Sequence, residues 1–147
     1  MTVIQPQSPY QWEQYFDLRF RILRQPWNES RGSERDPSDE DSTHLMLVTD
    51  DAVPVAVGRL HLNSADEAQV RFMAVDEPFQ GTGNGSQLLR ALEAEALRQG
   101  ATRMMLEARE NALAFYRRNG YTLTKKSYLL FGEIQHYTMH KQLEVRS

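Results

Sequence analysis

The chain contains no cysteine, no long apolar run and no excess of positive charge. Without cysteine it has no disulfides, no thiolate metal ligands and no cysteine nucleophile. No run reaches the length of a membrane span, and the polar start Met1–Pro6 lacks the apolar core of a signal peptide, so we expect a cytoplasmic protein with no membrane partner. The 17 basic and 20 acidic residues give a formal charge of -3, and a nucleic-acid partner is therefore not expected.

The composition that remains is that of an ordinary globular protein. The 147 residues are 40% hydrophobic and 25% charged, which is enough apolar material for a core. We find no internal repeat and no linker. A single domain over residues 1–147 is therefore predicted.

Apolar periodicity and turn residues predict the order of helices and strands. Ser8 is placed as an N-cap with Pro9 in the first turn of a helix that ends before Pro26. A long polar loop follows, with room for one short helical turn, and the next three strands are predicted to form an antiparallel meander. The predicted strands cover 2–4, 44–49, 53–62, 68–75, 103–107, 121–124 and 135–143, and the later helices cover 84–99 and 111–119.

The most informative segment is a glycine-rich turn between a strand and a helix. Val70–Val75 reads as a strand, and residues 80–86 place glycines at 81, 83 and 85 before an amphipathic helix. Glycines allow the backbone to approach a ligand closely, and the first N–H groups of a helix attract an anion. This pattern predicts a phosphate or pyrophosphate site.

Two common phosphate motifs do not fit this spacing. A dinucleotide-binding G-x-G-x-x-G needs a third glycine where the chain has Ser86, and a P-loop needs a Gly-Lys-Ser/Thr ending that is absent. The pattern that fits is Gln/Arg-x-x-Gly-x-Gly/Ala.

At this point the chain resembles the GCN5-related N-acetyltransferase (GNAT) superfamily. Residues 80–85 match its Gln/Arg-Gly-x-Gly-x-Gly motif after a strand that ends in hydrophobic-Ala-Val, and residues 112–121 match its motif Ala-x-x-hydrophobic-Tyr-x-x-x-Gly-Phe/Tyr. The resemblance implies an α/β (α+β) fold. Its expected features are a mixed, mostly antiparallel sheet of six to seven strands, about four helices, and a cleft where two central strands splay apart.

The resemblance also implies a reaction. Acetyl-CoA would be the cosubstrate, without a metal, and a small-molecule or peptide primary amine would attack it directly in a ternary complex. Tyr116 would protonate the departing thiolate, and a strand amide near Val75 would polarise the thioester. A homodimer is left open. The cofactor-binding residues implied are Met73, Ala74, Val75, Gln80, Gly81, Thr82, Gly83, Asn84, Gly85, Ser86 and Asn111.

Two positions near the second motif have alternative interpretations. The superfamily commonly has asparagine seven residues before the tyrosine, whereas this chain has Arg109 there and Asn111 two residues later. Asn111 either caps the following helix or contacts the pantetheine arm. Without the motif, Tyr116 would be read as an aromatic side chain that anchors its helix on the core.

The general base has four candidates. Glu107 ends a predicted strand beside the expected cleft and is preferred, followed by His136. His44 and His61 are the others, and each histidine also has a purely structural interpretation. An acidic stretch would either attract a cationic amine or be a solvated loop; its members are Glu34, Asp36, Asp39, Glu40 and Asp41.

Two other functions are compatible with the same motifs. One is a regulatory module that binds CoA without catalysis, although Tyr116 and the complete glycine turn argue against it. The other is an acyltransferase that uses a different acyl-CoA or a hydroxyl acceptor. Bulky Phe72 and Met73 beside the thioester would favour a small acyl group.

Overall fold

The computed structural model describes residues 1–144 and contains seven strands and three α-helices in that range. Short 3-10 turns lie at Gln25–Trp27, Pro37–Asp41, Glu77–Phe79 and Glu110–Ala112. The α-helices are α1 (Pro9–Leu23), α2 (Asn84–Arg98) and α3 (Leu113–Arg118). The strands are β1 (Thr2–Ile4), β2 (Thr43–Val48), β3 (Pro54–Leu62), β4 (Glu67–Val75), β5 (Arg103–Arg109), β6 (Thr122–Leu130) and β7 (Ile134–Gln142).

The seven strands are ordered β1-β2-β3-β4-β5-β7-β6 in one sheet. The pairs β1–β2, β2–β3, β5–β7 and β6–β7 are antiparallel, whereas β4 and β5 are parallel. This confirms the predicted mixed, mostly antiparallel sheet. The parallel pairing joins Glu67–Val70 to Arg103–Leu106, and the cleft expected beyond it stays a prediction.

Helix α1 begins at the predicted cap. The Ser8 hydroxyl accepts a hydrogen bond from the Gln11 N–H at 3.1 Å, and the Gln11 side chain accepts one from the Ser8 N–H at 3.2 Å. This reciprocal capping box, with Pro9 in the first turn, fixes the start of the helix. The helix ends at Leu23, before Pro26 as predicted. Its buried apolar side chains are Tyr15, Phe16, Leu18, Phe20 and Leu23.

The chain forms two compact units, which we describe separately. Unit 1 comprises residues 1–61 and 72–92, and unit 2 comprises residues 62–71 and the chain from 93 onward. The predicted single domain stays a prediction. The apolar core of unit 1 joins α1 to three strands through Tyr15, Phe16, Leu18, Leu23, Met46, Val48, Val57 and Ala74.

Unit 2 is organised around β5 and β7. Along β5, buried Met104, Leu106 and Ala108 alternate with partly exposed side chains, as expected for a strand with one covered face. A buried polar contact also lies in this unit. The Tyr121 hydroxyl donates to the Glu93 carboxylate at 2.8 Å, and Lys141 Nζ donates to the same carboxylate at 3.0 Å.

Strand β6 is the largest departure from the predicted elements. It was expected to end at residue 124, but it continues to Leu130, where the hairpin turns through Phe131 (φ +55°) and Gly132 (φ +68°). Most side chains of β6 are exposed, so the sequence lacks the alternation that marks a half-buried strand. Within residues 1–144, no helix combines the length and apolar character needed to cross a bilayer.

Candidate active site

The end of β4 and the residue after it are tightly fixed in unit 1. Asp76 follows Met73–Val75, and its N–H donates to the Val55 carbonyl at 2.9 Å. The Asp76 carboxylate accepts two bonds from Arg21, at 2.9 and 3.2 Å, and one from the Glu77 N–H at 2.9 Å. Paired, bidentate contacts of this kind restrict orientation as well as distance. The glycine turn therefore starts from a well-defined position.

Gly81 and Gly83 both adopt a left-handed backbone, with φ of +77° and +87°. Residues other than glycine rarely adopt this backbone conformation. A Cβ built at either position would meet no heavy atom of the described part of the chain within 4 Å. The backbone of the turn therefore faces open space, where a ligand can approach it directly.

Asn84 joins this turn to the start of α2. Its side-chain N–H groups donate to the Phe79 carbonyl and to the Thr82 hydroxyl, each at 3.0 Å. The hydrogen bond from the Gln87 N–H to the Gly83 carbonyl, at 3.1 Å, opens the helix. N–H groups before that point lie at the positive end of the helix dipole. An anion bound beside the glycines would contact these N–H groups.

The other residues predicted to bind the cofactor in unit 1 lie on either side of this turn. Ala74 is buried in the core, so it presents only its backbone, and Gly85 and Ser86 lie in the first turn of α2. Gln80 is exposed, and its side chain donates to the Val75 carbonyl at 2.9 Å. A carbonyl oxygen has two lone pairs, so Val75 can still accept a second bond.

Tyr116 lies on α3 in unit 2, with its ring edge-on to Phe115 and Tyr121 at centroid distances of 5.0 and 5.8 Å. Burial raises the pKa of Tyr116 to about 12, although the positive charge of Arg109 acts in the opposite direction. The phenol is therefore protonated at neutral pH. It packs as an aromatic anchor would, and it also has the protonation state that a proton donor needs.

The alkaline titration of the tyrosines tests this assignment. Burial raises the pKa of Tyr15 and Tyr116 to about 12 and that of Tyr121 further still. Removing Tyr116 by Y116F should therefore delete a tyrosinate absorbance step near pH 12.

The same shifts predict how stability depends on pH. Between about pH 10 and about pH 12 the unfolded chain loses tyrosine protons that the folded chain keeps, so the free energy of unfolding should fall as pH rises. Urea unfolding across this range measures the effect. A Tyr116 step near pH 10 would contradict the buried phenol.

Glu107 lies on β5 directly opposite Thr138 of β7. The Thr138 hydroxyl is 2.9 and 3.1 Å from the two carboxylate oxygens, and it donates to one of them at a time. This contact orients a partly exposed carboxylate. Such a group can take a proton directly or through a water molecule.

Asn111 is exposed and lies in the 3-10 turn Glu110–Ala112. The N-cap of α3 is Ala112, and no side chain caps the helix there. The interpretation of Asn111 as a helix cap is therefore wrong, because the 3-10 turn moves the start of α3 beyond it. A contact with pantetheine stays a prediction. Arg109 is the last residue of β5 and precedes this turn.

The family profile of the Acetyltransferase (GNAT) family matches residues 12–121. The chain belongs to this family. The uncharacterized N-acetyltransferase YjcF of Bacillus subtilis (strain 168) is 26% identical over 141 residues, which cover 96% of this chain and 99% of YjcF.

Solved structures of GNAT proteins have the same fold. A candidate N-acetyltransferase from Lactobacillus plantarum superposes with a TM-score of 0.86 at 26% identity, over 97% of this chain and 98% of that one. An aminoglycoside 6'-N-acetyltransferase complexed with coenzyme A has a TM-score of 0.83 at 15% identity, over 100% and 99% of the two chains. At that identity, the second likeness shows the fold alone.

In this GNAT protein, His44 is held at both ring nitrogens. Its Nε2 is 2.7 Å from the Asp39 carbonyl oxygen, which can only accept, so we assign the proton to Nε2. Nδ1 then accepts from the Tyr15 hydroxyl at 2.8 Å. Burial lowers the pKa of His44, so the ring is neutral. These contacts give it a structural role in unit 1.

The other two histidines proposed as bases lie in different units. His61 is in unit 1, with Nδ1 3.3 Å from an Arg59 guanidinium nitrogen. His136 is in unit 2 and buried; its ring stacks on Tyr128 at 4.3 Å, and its Nδ1 is 3.0 Å from the Ile134 carbonyl oxygen. Unit 2 thus holds Glu107 and His136, the two candidates that the sequence ranked first.

The acidic stretch is not a uniform solvated cluster. The Asp39 carboxylate accepts bonds from Arg19 at 3.1 Å and from Arg59 at 3.0 Å, and Asp36 lies 3.5 Å from Arg59. Burial opposes ionisation of Asp39, but the bond from the Asp36 N–H and the two arginine charges outweigh it and lower its pKa. Glu34 is buried and accepts from a backbone N–H. The two exposed members are Glu40 and Asp41.

Sequence reasoning missed the two buried arginines. Arg19 lies on the apolar side of α1, three residues after Phe16, and Arg59 lies two residues after Val57 on β3. Both positions therefore fall on faces that should enter the core. A charged residue on such a face needs a partner, and the acidic stretch supplies it. That combination was the available signal.

Proposed function

We propose that this GNAT protein transfers an acetyl group from acetyl-CoA to a primary amine by direct attack in a ternary complex. The observation that carries the proposal is the left-handed backbone of Gly81 and Gly83 at the start of α2, with open space beside both glycines. Glycines allow a pyrophosphate to approach the backbone closely, and the N–H groups at the start of a helix bind its negative charge. The coenzyme A bound to the aminoglycoside acetyltransferase of the same fold supports the choice.

The residues of unit 1 fit the cosubstrate. N–H groups of the turn from Gln80 to Ser86 would bind the pyrophosphate, and the backbone of Met73 and Val75 would bind the amides of the pantetheine arm as an added strand does. The Val75 carbonyl accepts a bond from the Gln80 side chain, which ties the two binding elements together.

Tyr116 and Glu107 are the groups that we propose for the proton transfers. Attack joins the amine nitrogen to the acetyl carbon and breaks the carbon–sulfur bond. The Tyr116 phenol, protonated at neutral pH, gives its proton to the departing sulfur. Glu107, oriented by Thr138, takes the proton that the amine releases. A backbone N–H near Val75 stabilises the negative charge on the carbonyl oxygen.

The acceptor and the setting of the reaction are part of the same proposal. A small-molecule or peptide amine is the acceptor, and acetyl is the proposed acyl group. Met73 is the side chain that would favour acetyl over longer acyl groups, because the ring of Phe72 packs against the apolar core of unit 1 and between arginine side chains. The protein acts in the cytoplasm, and a homodimer is compatible with this reaction.

A thermal-shift titration tests the cosubstrate. A ligand at 100 times its Kd stabilises the native state by about 2.7 kcal/mol, which corresponds to a rise in Tm of about 5–10 °C for a domain of this size. We expect this rise with acetyl-CoA and CoA and no rise with NAD. No rise with acetyl-CoA or CoA would contradict the pyrophosphate assignment.

Release of free thiol tests catalysis. Since the chain contains no cysteine, a thiol reagent reports only the CoA that the reaction releases. Thiol release that depends on both acetyl-CoA and an amine is expected from a panel of primary amines. Binding of acetyl-CoA without amine-dependent release across the panel would favour the regulatory module. Faster release from a longer acyl-CoA would favour the other acyltransferase.

A further inference from the structure

Phe72 has an unusual backbone conformation for a strand residue. It lies within β4, yet its φ is +54°, in the left-handed region. This backbone conformation is rare for a residue with a bulky side chain, and it is found only where surrounding contacts stabilise it. Contacts of the Phe72 side chain must therefore offset the strain of its backbone.

Arginine side chains surround the ring of Phe72. The guanidinium carbon of Arg19 lies 4.5 Å from the ring centroid, that of Arg59 lies 5.0 Å away, and that of Arg24 lies 5.7 Å away. These distances are typical of cation–π contacts, which strengthen when the cation is removed from water. The ring also packs against the apolar core of unit 1.

The two closest arginines are themselves fixed. Arg19 is 0% exposed and Arg59 is 1% exposed, and both donate to the carboxylate of Asp39. Arg19 also donates to the Glu34 carbonyl at 3.0 Å and to the Tyr15 hydroxyl at 3.1 Å. Burying the two guanidinium charges costs desolvation free energy, and the contacts with Asp39 and with the Phe72 ring offset that cost.

Their hydrogen bonding is incomplete in a consistent way. Within residues 1–144, the Nε of Arg19 and the Nε of Arg59 are buried and have no hydrogen-bond partner. Both guanidinium groups thus leave one donor unused while each of them lies against Phe72. The guanidinium groups of Arg19 and Arg59 are thus placed for contact with the Phe72 ring rather than for a complete set of hydrogen bonds.

The position of Phe72 connects this cluster to the site. Met73–Val75 follow it immediately, and their backbone is the part of β4 assigned above to the pantetheine arm. A change of φ at one residue reorients every peptide group after it. We propose that Arg19 and Arg59 are positioning residues that hold Phe72 left-handed and thereby aim the backbone of Met73–Val75 at pantetheine, an inference that rests on the proposed function.

Two ligands that differ in the pantetheine arm test the inference by calorimetry. Acetyl-CoA has the arm, whereas adenosine 3′-phosphate 5′-diphosphate has the pyrophosphate without it. We expect R59M to weaken acetyl-CoA binding about tenfold, within the range of couplings between contacting residues, and to leave the diphosphate ligand within about twofold. R35M is a control for the loss of an arginine–aromatic contact away from Phe72, because Arg35 lies over Phe16 at 3.9 Å and its side chain is 61% exposed.

Substitutions of Phe72 itself supply a rescue that a general structural role would not give. Glycine adopts positive φ without strain, so F72G should retain acetyl-CoA binding, whereas F72A should lose it because alanine keeps the strain and lacks the ring. In the F72G background, R59M should cause little further loss. If R59M does not fold, two alternatives make the same test. One is R59K, which keeps the charge but loses the planar guanidinium. The other is the comparison of F72G with F72A.

The outcomes separate this inference from the proposed function. A wild-type protein that binds neither ligand contradicts the proposed function. A wild-type protein that binds both and turns over acetyl-CoA sustains it. In that case the inference alone is overturned if R59M weakens binding of acetyl-CoA and of the diphosphate ligand equally, or weakens binding of neither. It is also overturned if R59M reduces the affinity for acetyl-CoA as much in the F72G background as in the wild type.

Discussion

Replacing Gly83 with valine should raise the Kd for acetyl-CoA at least about 100-fold, or about 2.7 kcal/mol of binding free energy. The space beside Gly83 is open, so the valine side chain would fill the volume in which we place the pyrophosphate. Valine also disfavours the φ of +87° that presents the N–H groups of the turn. Isothermal calorimetry with acetyl-CoA measures the loss directly.

Gly32 provides a matched control for the strain in this experiment. It also has positive φ, +106°, and open space where a Cβ would stand, but it lies in the loop after α1. Both G83V and G32V should reduce the free energy of unfolding by about 1–3 kcal/mol. Only G83V should lose acetyl-CoA. Normal binding by G83V would show that the pyrophosphate lies elsewhere.

Replacing Tyr116 with phenylalanine should lower kcat about 100- to 1000-fold and leave the Kd for acetyl-CoA within about twofold. The ring and its packing remain, so the variant removes only the hydroxyl that we assign to the departing sulfur. Because burial raises the pKa of Tyr116 to about 12, its ionisation should not limit the rate below that pH. Thiol release at saturating amine, together with calorimetry, separates turnover from affinity.

Tyr121 offers the control for loss of a buried hydroxyl. Its ring lies edge-on to Tyr116, and its hydroxyl donates to Glu93. Y121F should cost about 1–2 kcal/mol of stability through that lost bond, with kcat close to that of the wild type. Equal losses of turnover and affinity in Y116F would instead indicate that Tyr116 anchors its helix.

The features that the sequence predicted correctly depend on neighbouring residues. Ser8 and Pro9 define the start of α1 within its first turn, and the glycine-rich segment forms the turn between β4 and α2. The sheet class followed from the resemblance to GNAT proteins. In each case, the information lay within a few consecutive positions or a motif with fixed spacing.

The features that it missed depend on residues far apart in the chain. The ring of Phe72 lies against Arg19 and Arg59, which come from a helix and a strand. Both arginines donate to Asp39, which lies in a 3-10 turn. No local propensity favours a left-handed phenylalanine, so only the folded surroundings explain it. The length of β6 was missed for a related reason, since its pairing with β7 rather than its own pattern makes it a strand.

Strand β6 stands last in the strand order, so among residues 1–144 one side of its backbone has no neighbouring strand in the sheet. Such an edge is a template for aggregation through pairing with another molecule. The strand carries Lys125 and Lys126 side by side, and its register shifts on either side of them, between Leu123 and Lys125 and between Lys126 and Leu129. Charge and irregular pairing are among the means by which natural sheets discourage fibril growth, and β6 carries both at its edge.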